Sequence, residues 1–345
     1  TFYDKDFSLS KLTTEEYVRD SRFEVIGVGI KVNNRPTEWA SGTHEELADY
    51  FADFDWASSM VLAHNTMFDG AILSWLYGIK PRVWADTLCM GRAIHGVEVS
   101  GSLKALAERY GIGEKGTEVL KAIGKRREDF SDDELDLYGD YCINDVELTY
   151  KLFSLMARDF PKKELQIIDC TLRMFLLPQL DLDLNLLSSH LHNIKKNKEK
   201  LLCAAGVSRK DLMSNNKFAE LLIEQGVTPP TKISTTTGKE TFAFAKTDEA
   251  FKSLVEHENE NVQTLVAARL GNKSTLEETR TQRFIDISHR GLLPVPVRYY
   301  AAHTGRWGGD DKINLQNLPS RGPNGKMLKR SILALDGYRL VDCDS

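Results

Sequence analysis

The chain has 345 residues, of which 41% are hydrophobic and 28% charged, and this composition predicts two or three folded domains. No apolar run approaches the ~18 to 20 residues of a membrane span, and no signal-peptide pattern opens the chain. We therefore expect a soluble cytoplasmic protein without a membrane partner. The five cysteines show no CxxC spacing, which argues against a zinc cluster or a disulfide framework.

The two halves of the chain differ in charge. Residues 1–160 hold 18 Lys and Arg against 28 Asp and Glu, a net charge of −10, while residues 161–345 hold 27 against 22, a net charge of +5. A positive half suits a phosphate backbone, and an acidic half fits a compact domain that concentrates carboxylates for metals. The alternative is an uneven distribution of surface charge without functional meaning.

The first half predicts alternating strands and helices, which is typical of an α/β layer. Capping boxes at Thr43 and at Ser131 mark the starts of two helices, and the second helix is expected to run to about Arg158. Strands are predicted over 23–32 and 35–41 as a hairpin, then over 59–63 and 82–85, and helices over 44–54, 67–76, 87–94 and 102–110.

The second half is mostly helical in pattern until Gly291. A polar loop with Pro and Gly is predicted over 229–239, and a strand of Leu340 and Val341 is predicted near the end. The predicted helices cover 164–177, 185–202, 217–225, 248–257 and one long segment over 261–288.

The long helix from Ser131 carries a carboxylate in the middle of an apolar stripe, at Asp145. A buried lone carboxylate costs several kcal/mol unless a metal or a cation compensates it, so a ligand role is favoured for Asp145. Tyr141, one turn earlier, lies on nearly the same face. The alternative is an acid paired with a nearby Arg.

A second group of polar residues follows the predicted strand over 59–63. Asn65 and Asp69 come at the carboxyl end of that strand, where the sites of α/β proteins form. Asp69 and Asp145 could therefore converge on divalent metals. Hydrolysis by two metals conventionally needs three or four carboxylates around ions ~3.5 to 4 Å apart, so these two acids alone leave the site incomplete.

These residues carry a resemblance. His64-Asn-Thr-Met-Phe-Asp69 resembles the second motif, and Tyr141-Cys-Ile-Asn-Asp145 the third, of the proofreading 3′–5′ exonuclease domain of DNA polymerases. Thr304-Gly-Arg306, then Asn314-Leu-Gln-Asn-Leu-Pro319 and a strand ending at Asp344, resemble the start of the palm of family A DNA polymerases of bacteriophage type. The order and spacing match across nearly the whole chain, and the second pair of motifs is the more specific.

The resemblance implies three domains: an α/β RNase H-like exonuclease domain over 1–160 without its first strand, a mostly α-helical thumb over 161–290, and the beginning of an α+β palm over 291–345. The family's first exonuclease motif, Asp-x-Glu, is expected just before Thr1, and the motif of Asp344 is expected to continue beyond Ser345. We therefore expect a fragment truncated at both ends and inactive by itself.

The resemblance also implies roles and a cofactor, Mg²⁺, for which Mn²⁺ can substitute. Asp69 and Asp145 are expected to bind metal in the exonuclease site, with Tyr141 positioning the attacking water and Asn65 touching the degraded strand. Asp344 is expected to be the first of two palm carboxylates that hold the ions between the primer 3′-hydroxyl and the incoming triphosphate.

DNA contacts are implied along the second half. Near the growing end of the duplex, the resemblance places Arg306, Asn314, Gln316 and Asn317, where Arg, Asn and Gln can test minor-groove acceptors without reading sequence. Many relatives carry an Arg near Lys329 and Arg330, and the resemblance implies that one of these two residues contacts DNA in its place. Phosphate contacts are implied for the cations of the thumb: Lys195, Lys196, Lys198, Lys200, Lys232, Lys239, Arg269 and Lys273. The alternative for each lysine is a solvated helix surface.

The chain departs from the family pattern after Arg306 and matches it at Asp86. Trp307-Gly-Gly follows Arg306 where many relatives have Leu-Ser-Ser, so two hydroxyl contacts are replaced by flexible backbone. Asp86 fits the family pattern as a structural acid that begins a helix, without a catalytic role.

The resulting hypothesis is a template-directed DNA polymerase with a proofreading exonuclease, in the cytoplasm of a host cell if the protein is viral. Its expected partners are a DNA primer-template and deoxynucleoside triphosphates, and other replication proteins are an open question. Two alternatives are the DNA-binding half of a split polymerase and a stand-alone 3′–5′ exonuclease, although the Thr304-Gly-Arg306 motif has no role in a bare nuclease.

Overall fold

The computed structural model describes residues 1–116, 122–273, 275–318 and 326–341. Helices predominate, with short strands between them. Up to residue 180 the elements are α1 (Thr14–Val18), β1 (Val28–Ile30), β2 (Glu38–Ala40), α2 (His44–Ala52), β3 (Met60–Ala63), α3 (Thr66–Ala71), β4 (Val83–Asp86), α4 (Thr87–His95), α5 (Leu103–Tyr110), α6 (Asp132–Met156) and α7 (Lys162–Leu176).

The remaining elements are again mainly helical. They are β5 (Leu180–Leu182), α8 (Leu184–Ala205), α9 (Arg209–Met213), α10 (Asn215–Glu224), β6 (Thr231–Ile233), β7 (Glu240–Phe242), α11 (Glu249–Lys252), α12 (Glu260–Lys273), α13 (Leu276–Arg290), β8 (Val297–Arg298), β9 (Gly308–Gly309), α14 (Met327–Arg330) and β10 (Ile332–Ala334). Within the described ranges, no helix combines the length and the apolar character needed to cross a membrane.

The chain forms two compact units. The first comprises Thr1–Leu180, Leu292–Leu318 and Ala334–Arg339, and the second comprises Asp181–Gly291 with the described parts of Pro319–Leu333 and Leu340–Ser345. We expected the first domain to end at about residue 160, but the first unit continues through α7 and also includes the segment after Gly291.

The described residues of the first unit form three strand pairs, one of which is β8 with β9, antiparallel with Val297 opposite Gly309. β1 and β2 are antiparallel with Gly29 opposite Trp39, which confirms the predicted hairpin with shorter strands. β3 and β4 are parallel with Ala63 opposite Asp86. Because the carboxyl ends of parallel strands meet at one edge, this register places the residues that follow Ala63 beside those that follow Asp86.

The predicted helices of the first unit are present, and the capping boxes at Thr43 and Ser131 are confirmed. The helix predicted over 67–76 is α-helical only to Ala71 and continues as a π-helix over Ile72–Leu76. β1 packs closely on α6, since a Cβ at Gly29 would lie 3.2 Å from the Cys142 sulfur. This packing places the middle of α6 against the sheet.

Helix α7 belongs to the first unit because its polar and its apolar side chains both contact other elements of that unit. Its Asp169 carboxylate accepts a hydrogen bond from the backbone N–H of Trp84 at 2.7 Å, and the indole of Trp84 is fully buried. A Cβ at Gly70 would lie 2.6 Å from Leu176, so α3 also approaches α7 at close range. An amphipathic pattern predicts such a helix but not the neighbour that covers it.

The second unit packs α12 and α13 on α8. The single helix predicted over 261–288 is wrong, because the chain forms α12 and α13 instead. One uninterrupted helix over that range would extend about 42 Å, whereas α12 and α13 are separate helices that each pack on α8. The loop predicted over 229–239 contains a short hairpin, in which β6 and β7 pair with Lys232 opposite Thr241.

The predicted terminal strand is also wrong for the residues that the structure describes. Leu340 and Val341 do not lie in a strand, and they expose 54% and 81% of their surface. A strand needs a hydrogen-bonded neighbour, and no described segment pairs with these two residues. Asp344 lies outside the described residues.

Arg269 lies in the core of the second unit with 1% of its surface exposed. Its guanidinium lies 4.3 Å from the ring centroid of Phe218 and donates hydrogen bonds to the Leu212 carbonyl and the Asn215 side chain. Burial lowers the pKa of Arg269 to about 10. The prediction that Arg269 contacts DNA phosphates is wrong, because its donors face the interior.

Replacing Arg269 with Ala is expected to destabilise the protein by about 3 kcal/mol, because it leaves buried acceptors without their donor and opens a cavity between two aromatic rings. Lys196→Ala, at an exposed position of α8, is the matched control and should change stability little. Urea unfolding followed by helical circular dichroism measures both. An unchanged unfolding midpoint for Arg269→Ala would contradict the structural role.

Candidate active site

A buried carboxylate organises the edge of the β3–β4 pair. Asp86, at the end of β4, is 2% exposed and accepts hydrogen bonds from the backbone N–H groups of Asn65, Thr66 and Leu88 at 3.0, 3.2 and 2.8 Å. The bond to Leu88 caps the N-terminus of α4. This confirms Asp86 as a structural acid that begins a helix.

The turn between β3 and α3 presents two polar side chains to solvent. Asn65 adopts the left-handed conformation (φ 71°, ψ 52°), which Asn tolerates better than most residues. Asp69 lies one helical turn later, and both side chains are exposed. Asp86 therefore fixes the backbone from which Asn65 and Asp69 project.

Asp69 occupies an electrostatically unfavourable place for a carboxylate. It is accessible to solvent, yet the surrounding protein desolvates it and raises its pKa to about 6. The negative charges of Asp86 and Asp145 raise the pKa further. The charge of Asp145 therefore acts on Asp69.

The two carboxylate oxygens of Asp145 lie in different environments. Its Oδ2 forms an ion pair with the Lys115 ammonium, whereas its Oδ1 is buried without a hydrogen-bond partner among the described residues. A buried carboxylate oxygen without a donor is costly, and a cation beside it would lower that cost. A metal-ligand role was predicted for Asp145, with an ion pair to a nearby Arg as the alternative, and the pairing with Lys115, 30 residues away in an irregular segment, was not predicted.

Tyr141 and His64 complete this neighbourhood. The Lys115 ammonium lies 5.0 Å from the centroid of the Tyr141 ring. Desolvation raises the pKa of Tyr141, so its hydroxyl stays protonated at neutral pH and can donate a hydrogen bond. His64, which follows β3, bonds through Nδ1 to the Thr87 hydroxyl at 2.9 Å, and desolvation lowers its pKa. The structure therefore brings Asp69, Tyr141 and Asp145 together.

These side chains offer carboxylate oxygens, which are the ligands that a hard divalent cation such as Mg²⁺ takes. Among the described residues, no group of three His, Cys, Asp or Glu side chains is arranged to hold a metal. Mg²⁺ often uses only one or two carboxylates and completes its shell with water and substrate phosphates. The free Oδ1 of Asp145 and the nearby Asp69 carboxylate fit that mode of binding rather than a closed cage.

The Thr304-Gly-Arg306 motif lies in the turn between β8 and β9. Gly305 has φ +73°, a conformation that favours glycine, and the side chain of Arg306 is exposed. Trp307 donates from its indole to the Thr171 hydroxyl at 3.1 Å. The turn is thereby fastened to α7, with Arg306 facing solvent.

The Asn314 motif forms a tight turn. The Asn314 side chain accepts a hydrogen bond from the backbone N–H of Asn317 at 3.1 Å, so its oxygen supports the turn itself. Gln316 and Asn317 are exposed. Of these residues, Gln316 and Asn317 present their side chains outward and Asn314 mainly shapes the backbone.

Some of the lysines predicted to contact phosphates bind partners within the protein, whereas the other predicted cations are exposed. Lys198 is paired with Glu278 and Lys232 with Asp248, both at 2.6 Å, and these pairs compete with phosphate contacts. The Lys273 ammonium donates to the Phe244 carbonyl at 2.9 Å. The other predicted contacts are exposed: Lys195, Lys196, Lys200, Lys239, Lys329 and Arg330.

Comparison with known proteins gives a likeness of fold. No family model and no curated protein matches the sequence. Among solved structures, the chain is similar to the POL domain of Pol1 from M. smegmatis, solved in complex with DNA primer-template and dNTP, at 17% identity and a TM-score of 0.58. The match covers 98% of this chain and 59% of that chain, so the protein spans less than two thirds of its structural neighbour.

The chain therefore has a family A DNA polymerase-like fold. This confirms the coarse part of the expected architecture.

Asp69→Asn is expected to stabilise the metal-free protein at pH 7. Because the folded-state pKa of about 6 exceeds the unfolded value of about 3.9, this group contributes stability that is complete below pH ~4 and is lost as the pH rises through 6. The advantage of the variant should grow from pH 4 to pH 7 and reach about 1 kcal/mol, since solvent screens the exposed carboxylate.

Urea unfolding in the presence of a chelator, at several pH values, measures this difference. Asp49→Asn, at an exposed position of α2, is the control. A difference between Asp69→Asn and the wild type that does not change with pH would show that Asp69 is not desolvated in the folded protein.

Proposed function

We propose that this chain is part of a template-directed DNA polymerase of the bacteriophage family A type that also carries a 3′–5′ exonuclease. The observation that carries the proposal is the fold likeness over 98% of the chain to a polymerase domain solved with primer-template and dNTP. The motifs at Thr304 and Asn314 support it, because both lie in turns that present polar side chains to solvent.

In this proposal the first unit contains an RNase H-like exonuclease, the helices of the second unit form the thumb, and the segment after Gly291 begins the palm. The end of α7, rather than residue 160, is then the natural limit of the exonuclease, because α7 covers Trp84 and α3.

Asp69 and Asp145 would hold Mg²⁺ or Mn²⁺ in the exonuclease site, with the substrate phosphate and water as further ligands. The bound ion would supply electrostatic stabilisation of the charge that develops during phosphodiester hydrolysis. Tyr141, protonated at neutral pH, would orient the attacking water by donating a hydrogen bond. Asn65, exposed beside Asp69, would contact the strand that is degraded.

In the polymerase site, Asp344 is proposed as a palm carboxylate, and the proposal rests on the motif alone. Arg306, Gln316 and Asn317 are exposed and would lie along the primer-template, where contacts to minor-groove acceptors depend little on sequence. Exposed cations of the second unit would contact phosphates, with Lys195, Lys196 and Lys200 the best placed because they are exposed on one helix, α8. The substrates would be deoxynucleoside triphosphates.

The proposal predicts salt-dependent binding of a primer-template by the 345-residue chain, with similar affinity for unrelated sequences. Arg306→Ala should weaken binding about tenfold on every sequence, since the contact reads shape rather than base identity. Arg35→Ala, at an exposed residue of the β1–β2 turn, is the matched control and should bind as the wild type does.

Fluorescence anisotropy with a labelled primer-template, repeated from 50 to 200 mM salt, measures these affinities. Absence of binding at low salt, or equal losses for the two arginine variants, would reject the proposed DNA interface.

A further inference from the structure

Lys115 has no role in the proposed function, yet its contacts place it at the centre of the acidic neighbourhood. Its ammonium pairs with Oδ2 of Asp145 and lies over the ring of Tyr141. The segment that carries it is held to α6, because the side chain of Asn144 donates to the Glu114 carbonyl at 3.0 Å. Glu114 directly precedes Lys115, and Asn144 directly precedes Asp145. Their hydrogen bond therefore holds Lys115 beside Asp145.

The position of Lys115 matters because the ammonium and a divalent cation need the same carboxylate. Oδ2 of Asp145 is occupied by the ammonium, while Oδ1 is buried and has no partner in the described part of the chain. A metal ion that used both oxygens would have to displace Lys115. One that used Oδ1 alone would be repelled by the positive charge across the carboxylate.

The surroundings also allow Lys115 to leave. Its side chain is 28% exposed and that of Asp145 is 24% exposed, so both are reached by solvent at one side of the neighbourhood. A lysine has a long flexible stem, and the face of the Tyr141 ring can retain the ammonium by a cation–π interaction after it leaves the carboxylate. Displacement would then not require refolding of the segment.

We propose that Lys115 is an internal cation that competes with a divalent metal ion for Asp145 and thereby lowers the metal affinity of the site. This inference rests on the proposed function only in taking Asp69 and Asp145 as metal ligands. The ammonium compensates Asp145 when no metal is bound, and the metal takes over that compensation when it binds. The occupancy of the site would thus depend on metal concentration rather than being permanent.

The two roles of Lys115 predict opposite effects of removing its charge. Without the ammonium, the metal-free protein should be less stable, because the partly buried carboxylate of Asp145 loses its ion pair. Its affinity for a divalent cation should rise, because a competitor has been removed. A purely structural lysine would show the first effect and not the second, so the pair of readouts distinguishes the two interpretations.

The test is isothermal titration of Mn²⁺ into the metal-free 345-residue chain at pH 7.5, without DNA. Lys115→Gln keeps a hydrogen-bond donor but no charge, and should bind Mn²⁺ about tenfold more tightly than the wild type. Lys115→Met is titrated beside it, so that the result does not depend on the folding of one variant. Lys115→Arg keeps the charge and should bind as the wild type does.

Two further variants serve as controls. Lys104→Gln removes a charge from an exposed position of α5 and should leave Mn²⁺ affinity unchanged, while Asp145→Asn should abolish the binding that Lys115→Gln strengthens. Equal or weaker Mn²⁺ binding by the folded Lys115 variants would overturn the proposal, as would the absence of Mn²⁺ binding by every protein. Because the titration contains no DNA, these outcomes are independent of whether the chain binds a primer-template.

Discussion

The candidate site depends on one buried carboxylate, that of Asp86. It accepts hydrogen bonds from the turn after β3 and from the first turn of α4, and therefore ties together two segments that leave neighbouring parallel strands. Without this acceptor, three backbone N–H groups at the edge of the sheet would lose their partner, at a cost of about 1 to 3 kcal/mol each where they are buried. Asn65 and Asp69 owe their position to this structural acid, which has no catalytic role in the account.

The surroundings of Asp69 and Asp145 disfavour their charged carboxylates and therefore lower the stability of the folded protein. The surrounding protein and two neighbouring acids raise the pKa of Asp69 to about 6, and one oxygen of Asp145 is buried without a partner in the described structure. Unfavourable electrostatics of this kind is typical of functional sites, where a ligand or a substrate supplies the missing compensation. The ion pair with Lys115 offsets part of the cost at Asp145.

Local signals in the sequence predicted much of this. The capping boxes at Thr43 and Ser131 located two helices, because such boxes depend only on residues three apart. The place of Asp145 within an apolar stripe indicated a carboxylate that needs compensation. Contacts between distant segments could not be predicted in the same way.

The wrong and missed predictions all depend on contacts between segments that are distant in the sequence. Lys115 belongs to an irregular segment with no periodicity that would direct it to Asp145. Arg269 resembles a surface cation in sequence, yet aromatic rings and carbonyls from other helices enclose it. The division into α12 and α13, which both pack on α8, is not visible in the helical pattern over 261–288.

The central claim is that Asp69 and Asp145 form a hydrolytic site separate from the one that extends a primer. The most direct measurement compares 3′-end degradation with primer extension by the proposed polymerase that contains this chain. With Asp145→Ala, the account predicts loss of degradation while extension continues at the wild-type rate. Equal loss of both activities, or degradation that persists, would contradict it.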